Sequence, residues 1–168
     1  VEALTGMRSI ESGDFFIKGA NMTHASPRTI TEQGVGHVPE DRQRDGLVSS
    51  FTVMHNMVLC TYYKSDFSKS IVVDDRAIAE NASKLVEQYD VRPPIINNAV
   101  GGLSGGNQQK VIIARELSRN VELLIASQPT RGLDVGSIEF IHKQIIRMRD
   151  AGAGILLVSS ELDEVLSL

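Results

Sequence analysis

Short apolar runs alternate along the chain with stretches of helical periodicity. Val35 to Val38, Leu123 to Ala126 and Gly154 to Ser159 are short and largely apolar, which predicts strands. Apolar residues recur at helical spacing from Asp74 to about Tyr89 and again from Asp134 to about Asp150, which predicts two amphipathic helices. Because strands and helices alternate, we expect an α/β fold with a parallel sheet and right-handed crossovers.

Outside these segments the apolar periodicity is weaker, and the elements are predicted from turn and cap residues. It predicts the end of a helix at 1–6, a strand within 13–19, a helix from Ser26 to Gly34, a helix from Ser50 or Thr52 to Cys60, a loop from Tyr62 to Val73 and a last helix that starts at Ser160.

Composition limits the classes of protein that fit. A chain of 168 residues suits one domain with a real core, and its net charge of −4 favours neither nucleic acid nor an anionic membrane surface as a partner. The single cysteine, Cys60, excludes an internal disulfide. The sequence has no apolar run of the roughly 18 residues that a membrane span needs.

A glycine-rich helix start lies at Leu103 to Lys110. Ser104 is a good N-cap, Gly105 and Gly106 leave the first turn bare, and an apolar run begins at Val111. The first amides of a helix have no partner within it and carry the positive end of its dipole, so the pattern predicts an anion site, with phosphate as the expected ligand. The alternative is an ordinary glycine-flanked helix start.

Three further stretches follow this one along the chain. Leu103 to Gln108 resembles the signature motif of ATP-binding-cassette (ABC) ATPases, Leu123 to Ala126 resembles their Walker B strand, and Gly132 to Asp134 resembles their D-loop. Leu156 to Val165 resembles the switch strand and the helix after it. The resemblance implies an incomplete P-loop NTPase core, with 1–52 and 119–168 as the α/β part and 53–118 as a helical subdomain that carries the signature helix.

The resemblance implies ATP and Mg²⁺ as cofactors, bound where two cassettes pack head to tail and share each site. By the resemblance, the nucleotide-binding residues are Ser104, Gly105, Gly106, Asn107, Gln108, Glu40 and Asp134. Glu40 stands at the Q-loop position, where most relatives have glutamine. Pro39 to Arg42, followed by Gly46 and Leu47, resembles the branch that imports simple sugars or nucleosides; the alternative for this segment is a solvated charged loop.

The chain's own ATP site is expected to be degenerate. By the resemblance, Ser127 replaces the aspartate that holds magnesium, Gln128 replaces the catalytic glutamate and Ser160 replaces the switch histidine. A serine lacks the carboxylate that Mg²⁺ prefers, and a glutamine cannot accept a proton as a base. No G-x-x-x-x-G-K-[ST] phosphate loop occurs in the sequence either. We therefore expect that this chain alone neither binds ATP tightly nor hydrolyses it.

The resemblance also implies a cellular setting. We expect a piece of the second of two tandem cassettes, peripheral at the cytoplasmic face of the plasma membrane, with permease subunits and, indirectly, a substrate-binding protein as partners. The absent phosphate-loop strand should leave two exposed strand edges and an apolar slot in the sheet, and so favour dimerisation or strand exchange. The alternatives are a regulatory cassette that binds nucleotide without turnover, and a chromosome-maintenance (SMC) or DNA-repair ATPase.

Overall fold

A three-stranded parallel sheet lies at the centre of the structure, a computed structural model that describes residues 1–168. The strands are β1 (Phe16–Ile17), β2 (Ala20–Asn21), β3 (Val35–Val38), β4 (Ser68–Lys69), β5 (Val72–Val73), β6 (Leu123–Ser127) and β7 (Gly154–Val158). The helices are α1 (Pro27–Glu32), α2 (Val53–Asn56), α3 (Asp75–Gln88), α4 (Gly105–Leu117), α5 (Val135–Asp150) and α6 (Leu162–Ser167). A π-helical turn at Arg42–Gly46 and a 3₁₀ turn at Val100–Gly102 complete the set.

The central sheet has the order β3-β6-β7, with parallel pairing throughout. Val38 lies opposite Ala126, and Ser127 lies opposite Val158, so the carboxyl ends of all three strands meet at one edge. The predicted α/β class and the strands predicted at 35–38, 123–126 and 154–159 are confirmed. The apolar slot expected within the sheet is not found, because the three strands pair directly with one another.

Local capping explains where the long helices begin. Asp74 accepts a hydrogen bond from the amide of Ala77, and Asp134 accepts one from the amide of Ser137, so both residues act as N-caps. The predicted helices at 74–89 and 134–150 are therefore confirmed to within a residue or two. None of the six α-helices combines the length and the apolar character that crossing a bilayer requires.

The core forms where α4 lies between the sheet and the other helices. Val111, Ile112, Ile113 and Ala114 are all fully buried, so this helix is covered on every side by its neighbours. The main core cluster also draws side chains from α2, α3, α5, β3 and β6. Burial on this scale is the main stabilising term in the fold and fixes α4 relative to the strand ends.

Two predictions about strands and loops are wrong in detail. The segment 13–19 is not one strand: Lys18 and Gly19 both have positive φ, and the chain turns back so that β1 pairs with β2. The predicted loop at 62–73 contains a second hairpin, β4 with β5, which turns at Ser70 with φ of +62°. Two-residue strands are too short to show a period of alternation, so the pattern could not reveal them.

Three predictions about helix ends are also corrected. Thr52 caps α2 as predicted, but α2 ends at Asn56, because later amides such as that of Thr61 bond three residues back and form tighter turns. Glu161, not Ser160, occupies the N-cap position of α6. Residues 1–6 form turns instead of the end of a helix, although Gly6 does have the positive φ expected of a closing glycine.

Candidate nucleotide-binding site

The first turn of α4 presents a serine hydroxyl to solvent. Ser104 is exposed, and its Oγ accepts hydrogen bonds from the backbone amide of Asn107 at 3.4 Å and from the Asn107 side-chain amide at 2.9 Å. Both contacts use oxygen lone pairs, and the hydroxyl proton has no acceptor within the chain. Ser104 can therefore cap the helix and at the same time donate a hydrogen bond to an outside anion.

The two glycines after Ser104 serve packing as well as access. A Cβ on Gly106 would overlap the Ser137 Oγ and lie 3.1 Å from the Asp134 Oδ2, so this buried glycine lets α4 approach the start of α5 closely. A Cβ on Gly105 would lie 2.9 Å from the Arg42 Nη2. The expectation of a bare first turn is therefore wrong at Gly106, which α5 covers, while Ser104 remains exposed and Gly105 is half-buried.

Asn107 and Gln108 hold the helix in place with their side chains. The Asn107 Oδ1 accepts a hydrogen bond from the backbone amide of Arg92 at 2.7 Å. Gln108 is buried, and its side-chain amide lies 3.4 Å from the carbonyl oxygens of both Val100 and Gly101. These polar groups are engaged within the chain, which leaves Ser104 as the exposed polar side chain at the start of α4.

Asp134 stands beside this first turn as the cap of α5. Its Oδ1 accepts from the Ser137 amide at 3.0 Å, and its Oδ2 accepts from the Ser137 hydroxyl at 2.8 Å. The Ser137 hydroxyl and amide bonds hold the pKa of the Asp134 carboxyl below its ordinary value. The predicted D-loop residue and the signature helix are thus brought together, with Ser137 and Gly106 in contact between them.

The three residues predicted at the degenerate site meet at the carboxyl ends of β6 and β7. Ser127 is the last residue of β6 and is buried. Gln128 follows it with φ of +49°, and its side-chain oxygen accepts from both the amide and the hydroxyl of Ser160, each at 3.1 Å. The position is the one at which open α/β sheets bind ligands.

A polar cleft of about 810 Å³ opens beside these strand ends, next to Ser127, Glu40 and His37. Opposite charges line it together: Arg8, Arg42, Arg44 and Arg131 with Glu2, Glu40, Asp41 and Asp45. The lining is thus almost entirely polar or charged, unlike the mostly apolar lining of a typical small-molecule pocket.

The segment from Glu40 to Gly46 is more ordered than a solvated charged loop. Glu40 accepts a hydrogen bond from the Arg131 Nη1 at 2.6 Å, and Arg42 donates to the carbonyl of Arg131 at 3.0 Å. Asp41 caps the π-helical turn, and Arg115 donates to the carbonyl of Gly46 at 2.8 Å. These hydrogen bonds connect the segment from Glu40 to Gly46 to the loop after Gln128 and to α4.

Sequence reasoning missed Arg42 and Arg131. Arg42 lies against Gly105 and forms no ion pair with a carboxylate, so its positive charge adds to that of the helix N-terminus. Arg42 lies in the Pro-Glu-Asp-Arg segment and Arg131 just before the D-loop glycine, but only the folded arrangement shows that they meet.

The donor set does not fit a magnesium ion held by this chain alone. No group of three or more histidine, cysteine or acidic side chains that could hold a metal ion occurs in residues 1–168. Ser127 offers a hydroxyl where a hard cation prefers a carboxylate. The predicted weak metal position at Ser127 therefore does not belong to a group of three or more such side chains.

Ser127, Gln128 and Ser160, at the carboxyl ends of β6 and β7, are called the strand-end site below. The fold, with this site, defines an ABC ATPase cassette. The chain belongs to the ABC transporter family, whose profile matches residues 1–131. It is similar in fold to a dimeric post-hydrolysis state of the ATP-binding cassette MJ0796 bound to ADP and Pi, with a TM-score of 0.78 and 20% identity over 99% of this chain and 70% of that one. A nucleotide-free cassette from an ABC transporter has a TM-score of 0.77 at 22% identity, over 98% of this chain and 66% of that one.

Curated relatives match the chain along its whole length. It is 52% identical over 168 residues to the nucleoside import ATP-binding protein NupA of Lactococcus lactis subsp. cremoris, and 48% identical to the guanosine import ATP-binding protein NupO of Bacillus subtilis. It is 42% identical over 169 aligned residues to the glucose import ATP-binding protein TsgD13 of Haloferax volcanii. The chain spans 33% of the length of the first two and 31% of the third, about a third of each.

Proposed function

We propose that the chain is part of the ATP-binding subunit of an ABC importer for nucleosides or simple sugars. The names of the relatives that match its full length support this substrate class. In this proposal the subunit is peripheral at the cytoplasmic face of the membrane and works with permease subunits and a substrate-binding protein. Residues 53–118 act as the helical subdomain, and 1–52 with 119–168 act as the α/β core.

The signature helix, in this proposal, completes an ATP site that a second cassette provides. The observation that carries the idea is Ser104, exposed at the start of α4 with a hydroxyl proton that has no acceptor in the chain. The helix dipole and the guanidinium of Arg42 beside Gly105 add positive potential at the same place. A terminal phosphate is the ligand that such a surface fits.

The chain's own strand-end site is proposed to be weak in hydrolysis. Ser127 offers no carboxylate, and Gln128 cannot take a proton from water. The Gln128 side-chain oxygen is also occupied by Ser160. One competent and one weak site would then be shared between two cassettes in tandem, an arrangement that the length of the relatives permits, since the chain spans a third of it.

Ser104→Arg in the full transporter ATPase tests the shared site. The arginine fills the space for a phosphate and removes the serine donor, so we expect ATP turnover to fall by about 10-fold or more. Ser118→Arg is the matched control, because Ser118 is exposed at the other end of the same helix. Equal turnover in the wild type and the Ser104 variant would end the proposal.

A regulatory cassette, which binds nucleotide without turnover, is the second candidate, and the bond between Gln128 and Ser160 favours it. Nucleotide trapping on the full-length ATPase separates the two interpretations of the strand-end site, and calorimetry tests whether this chain alone binds nucleotide. We expect no micromolar binding of Mg-ATP, because no phosphate loop occurs in the sequence. Micromolar binding without hydrolysis would favour the regulatory function instead.

The edge strand β7 supports one further part of the proposal. Leu156 and Val158 are 37% and 41% exposed on it, and such an apolar edge favours pairing with another chain. We expect the isolated chain to dimerise or exchange strands. Light scattering that shows a heat-stable monomer would contradict this.

A further inference from the structure

Helix α6 is attached to the protein through a buried glutamate. Glu164 is 4% exposed and is the only buried residue of this helix, whereas Leu162 is 69% exposed and Leu166 is 76% exposed. The usual arrangement, with apolar residues inside and charge outside, is reversed here. Burial of a carboxylate is unfavourable unless hydrogen bonds compensate, so the contacts of Glu164 determine how α6 is held.

Both contacts of Glu164 converge on one carboxylate oxygen. The Thr130 hydroxyl donates to the Glu164 Oε1 at 2.7 Å, and the His142 Nε2 lies 3.0 Å from the same atom. Thr130 is itself buried, and the other carboxylate oxygen, Oε2, is buried without a partner. The two bonds at Oε1 are therefore the polar contacts that fasten this side chain.

These bonds lie next to the strand-end site. Thr130 is two residues after Gln128, and Glu164 is four residues after Ser160. The segments 128–130 and 160–164 are thus joined twice, once by Gln128 with Ser160 and once by Thr130 with Glu164. If the bond between Thr130 and Glu164 were lost, only the bonds between Gln128 and Ser160 would join these two segments.

His142 extends the connection to the signature helix. It lies on α5, whose cap Asp134 and first-turn residue Ser137 pack against Gly106. The Glu164 carboxylate therefore links α6 to the helix that touches the first turn of α4. The one other polar tie between α6 and the rest of the chain is at its end, where the Arg149 Nη1 donates to the carbonyl of Leu168.

We propose that Glu164 is a positioning residue that holds Ser160 against Gln128 and ties α6 to α5. It does not touch the strand-end cleft and acts through the hydroxyl of Thr130 and the ring of His142. Its relevance to ATP chemistry rests on the proposed function, but the positioning role itself concerns the geometry of this chain.

Amide hydrogen exchange measured by NMR on the chain tests this role without nucleotide. In Glu164→Ala the Ser160 amide, which donates to Gln128, should exchange about 10-fold faster, because the neighbouring bond that restrains α6 is gone. Glu164→Gln should restore exchange to within about 3-fold of the wild type, because a carboxamide oxygen still accepts from Thr130. Asp163→Ala, an exposed acid on the same helix, is the control and should change nothing.

Two further readouts separate positioning from loss of folding. The Ala126 amide in β6 reports on the sheet and should exchange at the wild-type rate in every variant. Thr130→Val removes the donor but keeps the volume, and combined with Glu164→Ala it should add no further increase at Ser160, because the Thr130 hydroxyl donates to Glu164. Ser160 exchange within twofold of the wild type in Glu164→Ala, or no rescue by glutamine, would overturn the proposal.

The failure of this inference can be told apart from the failure of the proposed function. The exchange experiment reports on Glu164 alone, whereas the turnover of the Ser104→Arg variant reports on the shared ATP site. Unchanged turnover in Ser104→Arg, together with faster exchange in Glu164→Ala, would end the shared-site proposal and leave the positioning role of Glu164 intact.

Discussion

The side-chain oxygen of Gln128 accepts two hydrogen bonds from Ser160, one from its amide and one from its hydroxyl, each at 3.1 Å. The Gln128 amide also donates to the carbonyl of Val158 at 2.7 Å, so three bonds fix this residue across the ends of β6 and β7. They hold it with φ of +49°, in the left-handed region that residues other than glycine rarely adopt. The strain is therefore offset by the contacts with β7 and Ser160.

Alanine and glycine at position 128 should separate these two effects. Gln128→Ala loses the bonds to Ser160 and keeps the strain, so we expect it to lower the free energy of unfolding by about 1–2 kcal/mol. Gln128→Gly loses the same bonds but relieves the strain, and should be about 1 kcal/mol more stable than the alanine variant. Urea denaturation measures both, and an alanine variant as stable as the wild type would show that the bonds to Ser160 contribute nothing.

The clustering of Ser127, Gln128 and Ser160 follows from the sequence, but their contacts do not. Both segments come after predicted parallel strands, and parallel strands that pair bring their carboxyl ends to one edge. The bond between Gln128 and Ser160 depends on side-chain rotamers that the packed structure selects. The cap position of α6 was missed for the same reason, because Ser160 turns its hydroxyl towards Gln128 instead of the helix.

Gly106→Ala should disturb the contact between the signature helix and α5. The added Cβ would overlap the Ser137 Oγ and lie 3.1 Å from the Ser137 Cβ, so we expect a loss of about 1–3 kcal/mol in the free energy of unfolding. Gly136→Ala is the matched control in the first turn of α5, where the nearest atom lies 3.4 Å away; its better helix propensity should make it neutral or stabilising. Ser137→Gly should recover part of the loss in the Gly106 variant, and equal stability of both alanine variants would contradict the packing role.

The contrast between Gly106 and Gly136 shows which features of the site can be predicted from the sequence. Ser104 is recognised as a cap from residues within one turn, since capping is a local interaction. The reason for a glycine at 106 is Ser137, which is distant in the sequence and adjacent only in the fold. The same holds for Arg42, which meets Gly105 only because the π-helical turn packs against α4.

Glu116→Gln should be strongly destabilising. Glu116 is buried on α4, where it accepts from the Arg115 Nε at 2.8 Å and is paired with Arg119. Burial alone would raise the pKa of Glu116, but the two guanidinium groups outweigh it and hold the pKa below its ordinary value. Because the neutral variant leaves buried arginines without a counter-charge, we expect a loss of about 3–5 kcal/mol.

Glu139→Gln provides the control for this charge removal. Glu139 pairs with Lys143 on the exposed face of α5, at a separation of four residues. Exposed pairs of this kind contribute little, so the free energy of unfolding should stay within experimental error of the wild-type value. If the two variants lose similar amounts in thermal or urea denaturation, the buried network on α4 does not have the importance assigned to it.

His37 should make the stability of the fold depend on pH. It lies on β3 with its Nε2 buried and without a partner, and burial lowers its pKa below the model-peptide value of 6.5, although the nearby charge of Glu116 opposes this. The unfolded chain therefore binds a proton at His37 more readily than the folded chain does. The stabilising contribution is fully present above the unfolded pKa and is lost as the pH falls from there towards the folded pKa.

We expect the wild-type free energy of unfolding to decrease between pH 7.5 and pH 5.5, and the decrease to be smaller in His37→Gln, because glutamine stays neutral throughout. Urea denaturation at a series of pH values measures both curves. His24→Gln, at an exposed position, is the matched control and should keep the wild-type slope. A His37 variant whose slope equals that of the wild type would mean that the folded protein accommodates a charged imidazole at this site, and that the unpartnered nitrogen is not the group that resists acid.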